Sequence, residues 1–564
     1  MPGEEIMGTE ATQVVASFSL IDWLVVIVYL LIMVGIGVWM SRGQKTTRDY
    51  FLGGRNIHWA AVGMAIIATE TSALTFIGVP AMAFGAMSRD AAGKIVVGAG
   101  SIDYLQIIIG YVIARVIVSI IMIPHYFKGD VYSPYQILMK SFGKAPRYLA
   151  SAFFLVGGSM GAGVRIYVTA IPVMVVFRVF FPGWGIIHSI ALFTIISIVY
   201  THVGGIKAVI WTDVIQFCIF MTGGAYALFY IPTLLKGGWS ELWQVGSETG
   251  RLTWIRSGLV SLGQFHESGG QGFWGFIWAN IREIIGGRFN IWMGLIGATI
   301  GVMCSHGVDQ LNVQRILTCR DEKEGAKALI LSALIIFPLF LMFLLVGVGL
   351  YAFYSTNGFN FGIDPWNPLD PNMAPKADYI FPIFIVTHVP PILKGFLVAG
   401  ILAAAMSSIS GALSALGSVA VMDLYRVVDR NRKSEQTYLS LSRWAIIGVS
   451  FVLVIIAMLS QKAPLVFNLA FTLAGLTSGA LLGAVLFAIW KKRCYPGPII
   501  AGMVSSFIAM IVIIVVVQKT NIKINWPWFT PIGTAITMIV AYLGSLGVPV
   551  PEKDFEEVQP IVKK

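Results

Sequence analysis

Charge is what this chain has least of: Asp, Glu, Lys and Arg make up 12% of its 564 residues, about half the share usual in a soluble protein. Such scarcity excludes an ordinary water-soluble globule and leaves the bilayer as the solvent. Cysteine is also sparse. Cys218, Cys304, Cys319 and Cys494 are scattered, with neither CxxC spacing nor a disulfide framework, so no metal or redox role follows from them. The histidines do not cluster, and no Walker loop or zinc-binding HExxH helix occurs. Nothing therefore points to ATP hydrolysis or metalloenzyme chemistry. The residues ahead of the first apolar run contain Glu4, Glu5 and Glu10 and no basic n-region, which is not the pattern of a cleaved signal peptide.

What the chain has is long apolar runs, with 57% hydrophobic residues. They do not alternate in polarity as barrel strands do, and each suits the roughly 20 helical residues that cross a bilayer core. The expected fold class is an all-α polytopic membrane protein of about thirteen spans. Their approximate limits are 20–41, 58–86, 104–124, 149–178, 183–202, 207–231, 289–308, 327–355, 391–425, 439–460, 464–490, 498–517 and 528–546. A formal charge of +11 reads as topology rather than as a nucleic-acid surface, because the basic residues sit in short loops. Arg42, Lys45, Arg48 and Arg55 fill the first loop, Lys128, Lys140, Lys144 and Arg147 the third, Arg426, Arg430, Arg432 and Lys433 the ninth, and Lys491, Lys492 and Arg493 the eleventh. All are odd-numbered loops, so the positive-inside rule puts the N-terminus outside and the C-terminus inside. The plasma membrane or a bacterial inner membrane is expected.

Two long connections, about 232–288 and 356–390, fall outside in this topology and suit either gates or ordered caps. The first is rich in Gly, Trp and Phe around Gly269–Gly275, and the second contains Asp364, Pro365, Pro368, Asp370, Pro371 and Pro375. No stretch accommodates a soluble catalytic or signalling domain of ordinary size, which disfavours an enzyme or a membrane sensor.

Polar residues inside spans carry the chemistry. Ala68-Thr69-Glu70-Thr71-Ser72-Ala73-Leu74-Thr75 interrupts the second span with hydroxyls that compete for backbone hydrogen bonds. An unwound stretch at that depth is tolerated only where protein or a water-filled cavity covers its freed carbonyls, and freed carbonyls suit a hard monovalent cation. On the ninth span, Ala403-Ala404-Ala405-Met406-Ser407-Ser408-Ile409-Ser410-Gly411 puts the Ala404 carbonyl and the Ser407 and Ser408 hydroxyls on one face. Small-residue helix packing explains the same spacing, and both readings stand at this point. Asp213 on the sixth span suits a cation path or an interfacial carboxylate. Glu70 and Arg165 lie deep, where charge is costly; they pair with each other, or Arg165 receives a solute carboxylate bidentately. Arg115 reads as structural. The glycines of the fourth span, Gly157, Gly158, Gly161 and Gly163, suit close helix packing.

Taken in order, several segments resemble the sodium:solute symporter family, which includes sodium/glucose, sialic acid, proline, iodide and monocarboxylate cotransporters. They are Asp49–Arg55 with the Ala68–Gly78 break, Gly204–Asp213, Asp309–Arg315, and Pro382–Ile385 followed by the Ser407-Ser408 segment and Met422–Tyr425. The resemblance implies a LeuT-type 5+5 inverted-repeat core and the following organisation: 1–57 N-terminal tail, first helix and loop; 58–231 first repeat; 232–288 extracellular connection; 289–490 second repeat; 491–564 two accessory helices and a tail. It implies a broken helix opening each repeat, the second around Gly301–Gly307. A sodium site would use the carbonyls of Ala68, Thr71 and Ala404 with the hydroxyls of Ser407 and Ser408. A second would use Asp213 and Ser410, although Gly411 stands where its other hydroxyl belongs. Glu70, Ser72, Thr75 and Arg165 would face the solute. Of these, Ser72 and Thr75 match solute-facing positions of the sialic acid branch, Glu70 replaces a neutral residue, and Gly161 stands where that branch carries its arginine. Residues suited to galactose are missing around Val302 and Ser305. The implied activity is alternating-access symport of sodium, the coupling ion and sole cofactor, with a small polar solute; organic anions such as carboxylates, sugar derivatives and other small polar metabolites all stay open, and Arg165 alone leans toward a carboxylate. A proton carried by Glu70 or Asp213 is the variant, and a channel the rival.

Overall fold

The computed structural model describes residues 18–42, 44–90, 95–128, 131–359, 361, 377–429, 433–461, 466–491, 494–520 and 522–546. Arg430, Arg432, Lys492 and Arg493, the acidic N-terminal residues and the Asp364–Pro375 stretch lie outside them. Helix dominates, and the chain is a multi-pass membrane protein. The helices that build the bundle are α1 (Leu20–Met40), α2 (Trp59–Glu70), α3 (Ala73–Phe84), α4 (Leu105–Ile121), α5 (Lys144–Phe180), α6 (Ile186–Thr233) and α7 (Thr299–Gly307). They continue as α8 (Gln310–Ile316), α9 (Glu322–Thr356), α10 (Leu393–Ser418), α11 (Glu435–Ser460), α12 (Val466–Trp490), α13 (Pro496–Lys519) and α14 (Phe529–Ser545). Eight helices among the described residues are long and apolar enough to cross a membrane, and the bent pair α2–α3 adds a ninth crossing.

Burial sorts the helices by role. Only 28% of the apolar window of α1 is covered by protein; Leu24, Leu31 and Trp39 point outward, as suits a lipid-facing helix. Ser19 and Asp22 close a capping box at its start, and the Asp22 carboxylate also accepts from the Ile392 and Gly395 amides at 2.7 and 3.0 Å. That single acid docks α1 on the N-terminus of α10. By contrast, 94% of the α10 window is buried, and its Ala, Ser and Gly residues let neighbouring backbones come close. It is the centre of the bundle.

Two breaks shape the core. α2 and α3 meet at 57°, where Thr71 (φ −83, ψ 83) leaves helical geometry and Ser72 (φ −78, ψ 174) opens α3. The Thr71 hydroxyl turns back to the Ile67 carbonyl at 2.5 Å, the competition expected of a mid-span threonine. The second break is Gly205, at φ 56 and ψ −157 inside the 48 residues of α6. A straight helix of that length would be about 72 Å, far beyond one bilayer core, so the glycine separates two legs. A Cβ there would fall 2.7 Å from the Tyr50 carbonyl oxygen. Gly205→Ala is expected to cost roughly 1–3 kcal/mol, read as a lower half-inactivation temperature in detergent; an unchanged temperature would contradict the constraint.

Two features differ from expectation, and a third bears on the 232–288 connection, for which an ordered cap was one of two readings. Residues 301–307 are regular helix in α7; the irregularities lie on either side of them, as a π turn at Met293–Ala298 and a stop at Val308–Asp309. There Asp309 accepts from the Leu311 amide at 2.8 Å and so starts α8 instead. After α3 the chain forms an antiparallel hairpin, β1 (Met87–Arg89) with β2 (Ile95–Val97), too short to announce itself by periodicity. The connection 232–288 is ordered by helices Gly238–Glu248 and Phe273–Gly286. Arg251 pins it by donating to the Phe84 and Gly98 carbonyls while stacking 3.2 Å over the Tyr351 ring.

Candidate functional site

The break between α2 and α3 faces the serine pair of α10. The Ser407 hydroxyl donates to the Ala68 carbonyl at 2.8 Å across the interface, and lies 3.2 Å from the carbonyl of Ala404. The Ser408 hydroxyl lies 3.4 Å from that same carbonyl. Ala68, Thr71, Ala404, Ser407 and Ser408 are all buried. Ala68, Ala404, Ser407 and Ser408 are thus linked oxygen to oxygen, and Thr71 sits at the break itself, three residues past Ala68. These are neutral oxygens from two helices, and the hydroxyls can turn their lone pairs inward because their protons rotate. Such a set suits a weakly held, exchangeable monovalent cation.

Asp213 is more deeply engaged than expected. Its Oδ2 accepts from Arg315 Nη2 at 2.9 Å and Arg315 Nε at 3.3 Å, with the Thr69 hydroxyl 3.3 Å away and nearer, at 2.9 Å, to the Ala65 carbonyl; Asp213 and Arg315 are both fully buried. An interfacial position is therefore not what the structure shows. Ser410 does not reach toward Asp213 but donates to the Ser407 carbonyl at 3.1 Å. Arg315 is the residue that sequence reasoning missed, although it closes the quoted Asp309–Arg315 segment. A carboxylate at that depth requires a cation, and this requirement was the available signal.

Glu70 pairs with Arg115 of α4, not with Arg165. His306 of α7 joins them, its Nε2 3.6 Å from the carboxylate and 3.2 Å from Arg115 Nη2. Arg115 and His306 are buried, so Glu70 is committed to this cluster rather than offered to a solute. The reason is placement: Arg115 lies on α4 beside the end of α2 and its guanidinium meets the carboxylate there. Arg165 faces a narrow crevice lined by Ala162, Ile166 and Thr169 of α5 and by Ser408, Ile409 and Ala412 of α10. No hydrogen bond or ion pair holds its guanidinium among the described residues; Asp309 and Glu70 act on it only as neighbouring charges. Ser72 and Thr75 are buried at the start of α3 and do not line this crevice.

The profile of the sodium:solute symporter family matches residues 50–505. The sodium/sialic acid symporter SiaT of Proteus mirabilis is 27% identical over 552 residues, covering 94% of this chain and 95% of that one. The human sodium/iodide cotransporter is 24% identical over 492 residues, 86% of this chain and 68% of its own length. Among solved structures, a sodium-coupled sialic acid symporter in a substrate-bound outward-open state superposes with a TM-score of 0.75 at 25% identity, over 95% of this chain and 100% of that one.

Proposed function

The chain belongs to the sodium:solute symporter family, a transporter rather than an enzyme, and on that premise we propose how its residues couple sodium to the uptake of a small organic anion. Sodium is held by the carbonyls of Ala68, Thr71 and Ala404 and the hydroxyls of Ser407 and Ser408, bridging the α2–α3 break to α10. The solute carboxylate is received by Arg165 in a bidentate, charge-assisted contact. The observation that carries this reading is that one crevice is lined by both Ser408 and Arg165.

That adjacency supplies the coupling. A bare guanidinium next to the cage repels sodium in a poorly screened interior; an anion on Arg165 removes the repulsion, and sodium in turn attracts the anion. Each ligand raises the other's affinity by the same factor. Relatives named for sialic acid and for iodide carry anions, which supports an anionic solute here, with sugar acids and monocarboxylates the first classes to try. Ser72 and Thr75 lie at the break and are assigned to the solute once the outer path opens. We further assign residues 58–231 and 289–490 to the two repeats, 232–288 to the outer connection, and the N-terminus to the outside.

The test is thermal stabilisation of the purified protein by sialic acid, lactate, iodide and glucose, in sodium or in potassium chloride, for wild type and Ser408→Ala. An anion-specific shift that needs sodium and vanishes in Ser408→Ala is the expected result. Equal shifts in potassium would overturn the sodium cage, and stabilisation by glucose alone would overturn the anionic solute.

A further inference from the structure

We infer that the connection 232–288 is seated on lipid: helix Phe273–Gly286 lies flat in the headgroup layer of the protein's own bilayer, with its tryptophan stripe turned toward the acyl chains. The helix has 14 residues and none of them is buried. At about 21 Å it falls short of a hydrocarbon core of about 30 Å, so it lies along the membrane rather than across it. Its two faces differ. Phe276 and Asn280 turn toward the rest of the connection: Phe276 packs on the Phe265 ring at 5.5 Å, and Asn280 Oδ1 accepts from the Val260 amide at 2.9 Å. Trp274, Trp278 and Ile281, spaced i, i+4 and i+7, form a stripe on the opposite side, where Trp274 and Trp278 are 77% and 61% exposed. A helix facing water would carry its polar residues there. This one carries the indoles that concentrate where bilayer meets water.

What covers the stripe follows from where the helix is tied. Trp528 Nε1 donates to the Ile284 carbonyl at 3.2 Å, and the Asn525 amide donates to the Ile285 carbonyl at 3.0 Å. Gly286 comes so close to the Lys523 carbonyl that a Cβ would collide with it. Lys523, Asn525 and Trp528 lie between α13 and α14, and the lipid-facing flank of α13 runs up to them through the exposed Val512, Val515, Val516 and Ile522. The helix is thus fixed where a lipid-covered surface ends. Arg282 beside the stripe and Lys523 at the junction are both exposed, and long cationic side chains at that level suit lipid phosphates. Arg256 passes the seat on to the bundle. Its amide donates to Gln106 Oε1 at 2.9 Å and its Nε to Asp103 at 2.7 Å, at the start of α4.

The experiment attaches a nitroxide to the full-length chain at Trp274→Cys, Trp278→Cys or, as a control, Glu267→Cys, an exposed position outside the stripe. Cys218, the one exposed cysteine of the four, is first changed to serine. In phosphatidylcholine vesicles, power-saturation EPR compares collisions with oxygen, which partitions into lipid, and with a water-soluble nickel chelate. Oxygen is expected to dominate at 274 and 278, and nickel at 267. Nickel dominating at 274 and 278 would put the helix in water and overturn the inference. Protection from both reagents would overturn it too, by showing that a second copy or another protein covers the stripe, and lipid exposure at only one of the two positions would overturn the flat orientation. Both substitutions remove exposed side chains; if either protein fails to fold, Ile281→Cys on the same face takes its place.

Discussion

Arg115→Leu is expected to cost about 3–5 kcal/mol of stability, the usual penalty for removing one partner of a buried pair. Arg115 is fully buried and pairs with Glu70 at the end of α2. Without it the His306 ring, 3.6 Å away, is left as the carboxylate's neighbour in the cluster. Yet the pair is not ideally satisfied, because Nε and Nη1 of Arg115 have no hydrogen-bond partner. Replacing both members by leucine therefore recovers most of the loss, since the desolvation of two charges disappears along with their attraction. The measurement is the half-inactivation temperature in detergent for wild type, Arg115→Leu, Glu70→Leu and the double variant. A single Arg115→Leu protein as stable as wild type would mean that the cluster does not hold the break. A double variant no better than the singles would mean that the two residues act separately.

Arg165→Leu is expected to weaken binding of the transported anion by roughly ten- to a hundredfold, the equivalent of losing charge-assisted hydrogen bonds worth about 1.5–3 kcal/mol. A second effect has the opposite sign. With the guanidinium gone from the crevice it shares with Ser408, sodium binding in the absence of solute should tighten. A merely structural arginine would weaken both, so the paired readout separates the roles. The assay is radiolabelled sodium binding alongside sodium-driven uptake of the anion that emerges from the thermal panel. If anion affinity is unchanged, Arg165 does not hold the solute; if sodium binding also weakens, the repulsion that couples the two ligands is absent.

The parts legible in the sequence were those written in local chemistry. The membrane spans follow from runs of apolar residues, and the break at Thr71 from hydroxyls placed where a helix interior disfavours them. The meeting of Ser407 with Ala68 followed from the family resemblance and not from spacing, which small-residue packing explained as well. What stayed hidden was the choice of partner for each buried charge. Glu70 had two arginines within reach of argument, and only the fold brings Arg115 of α4 to its carboxylate. Asp213 and Arg315 lie 102 residues apart, and neither segment names the other. Gly411 stood where a hydroxyl was expected, and nothing in the sequence shows that a Cβ there would fall 2.5 Å from Arg315 Nη2. The π turn at Met293–Ala298 has no sequence signature at all, because it depends on the close approach of α4 near Gly110 and Gly294.

The cation that faces Asp213 is tethered to the chain and is never released. Arg315 returns with the protein on every cycle, so the charge it places on Asp213 extracts no work from the membrane field. Driving falls to mobile ions, and the Ser407–Ser408 cage as proposed holds one. A tenfold sodium gradient supplies about 1.4 kcal/mol and a potential of 100 mV about 2.3 kcal/mol per charge, enough to concentrate a neutral cargo roughly five-hundredfold. When the cargo is a monovalent anion, the two charges cancel and the voltage drops out. The ceiling falls to the sodium gradient itself, about tenfold, and the carrier runs in low gear: cheap per turn, silent to an electrode, and reversible as soon as the sodium gradient collapses.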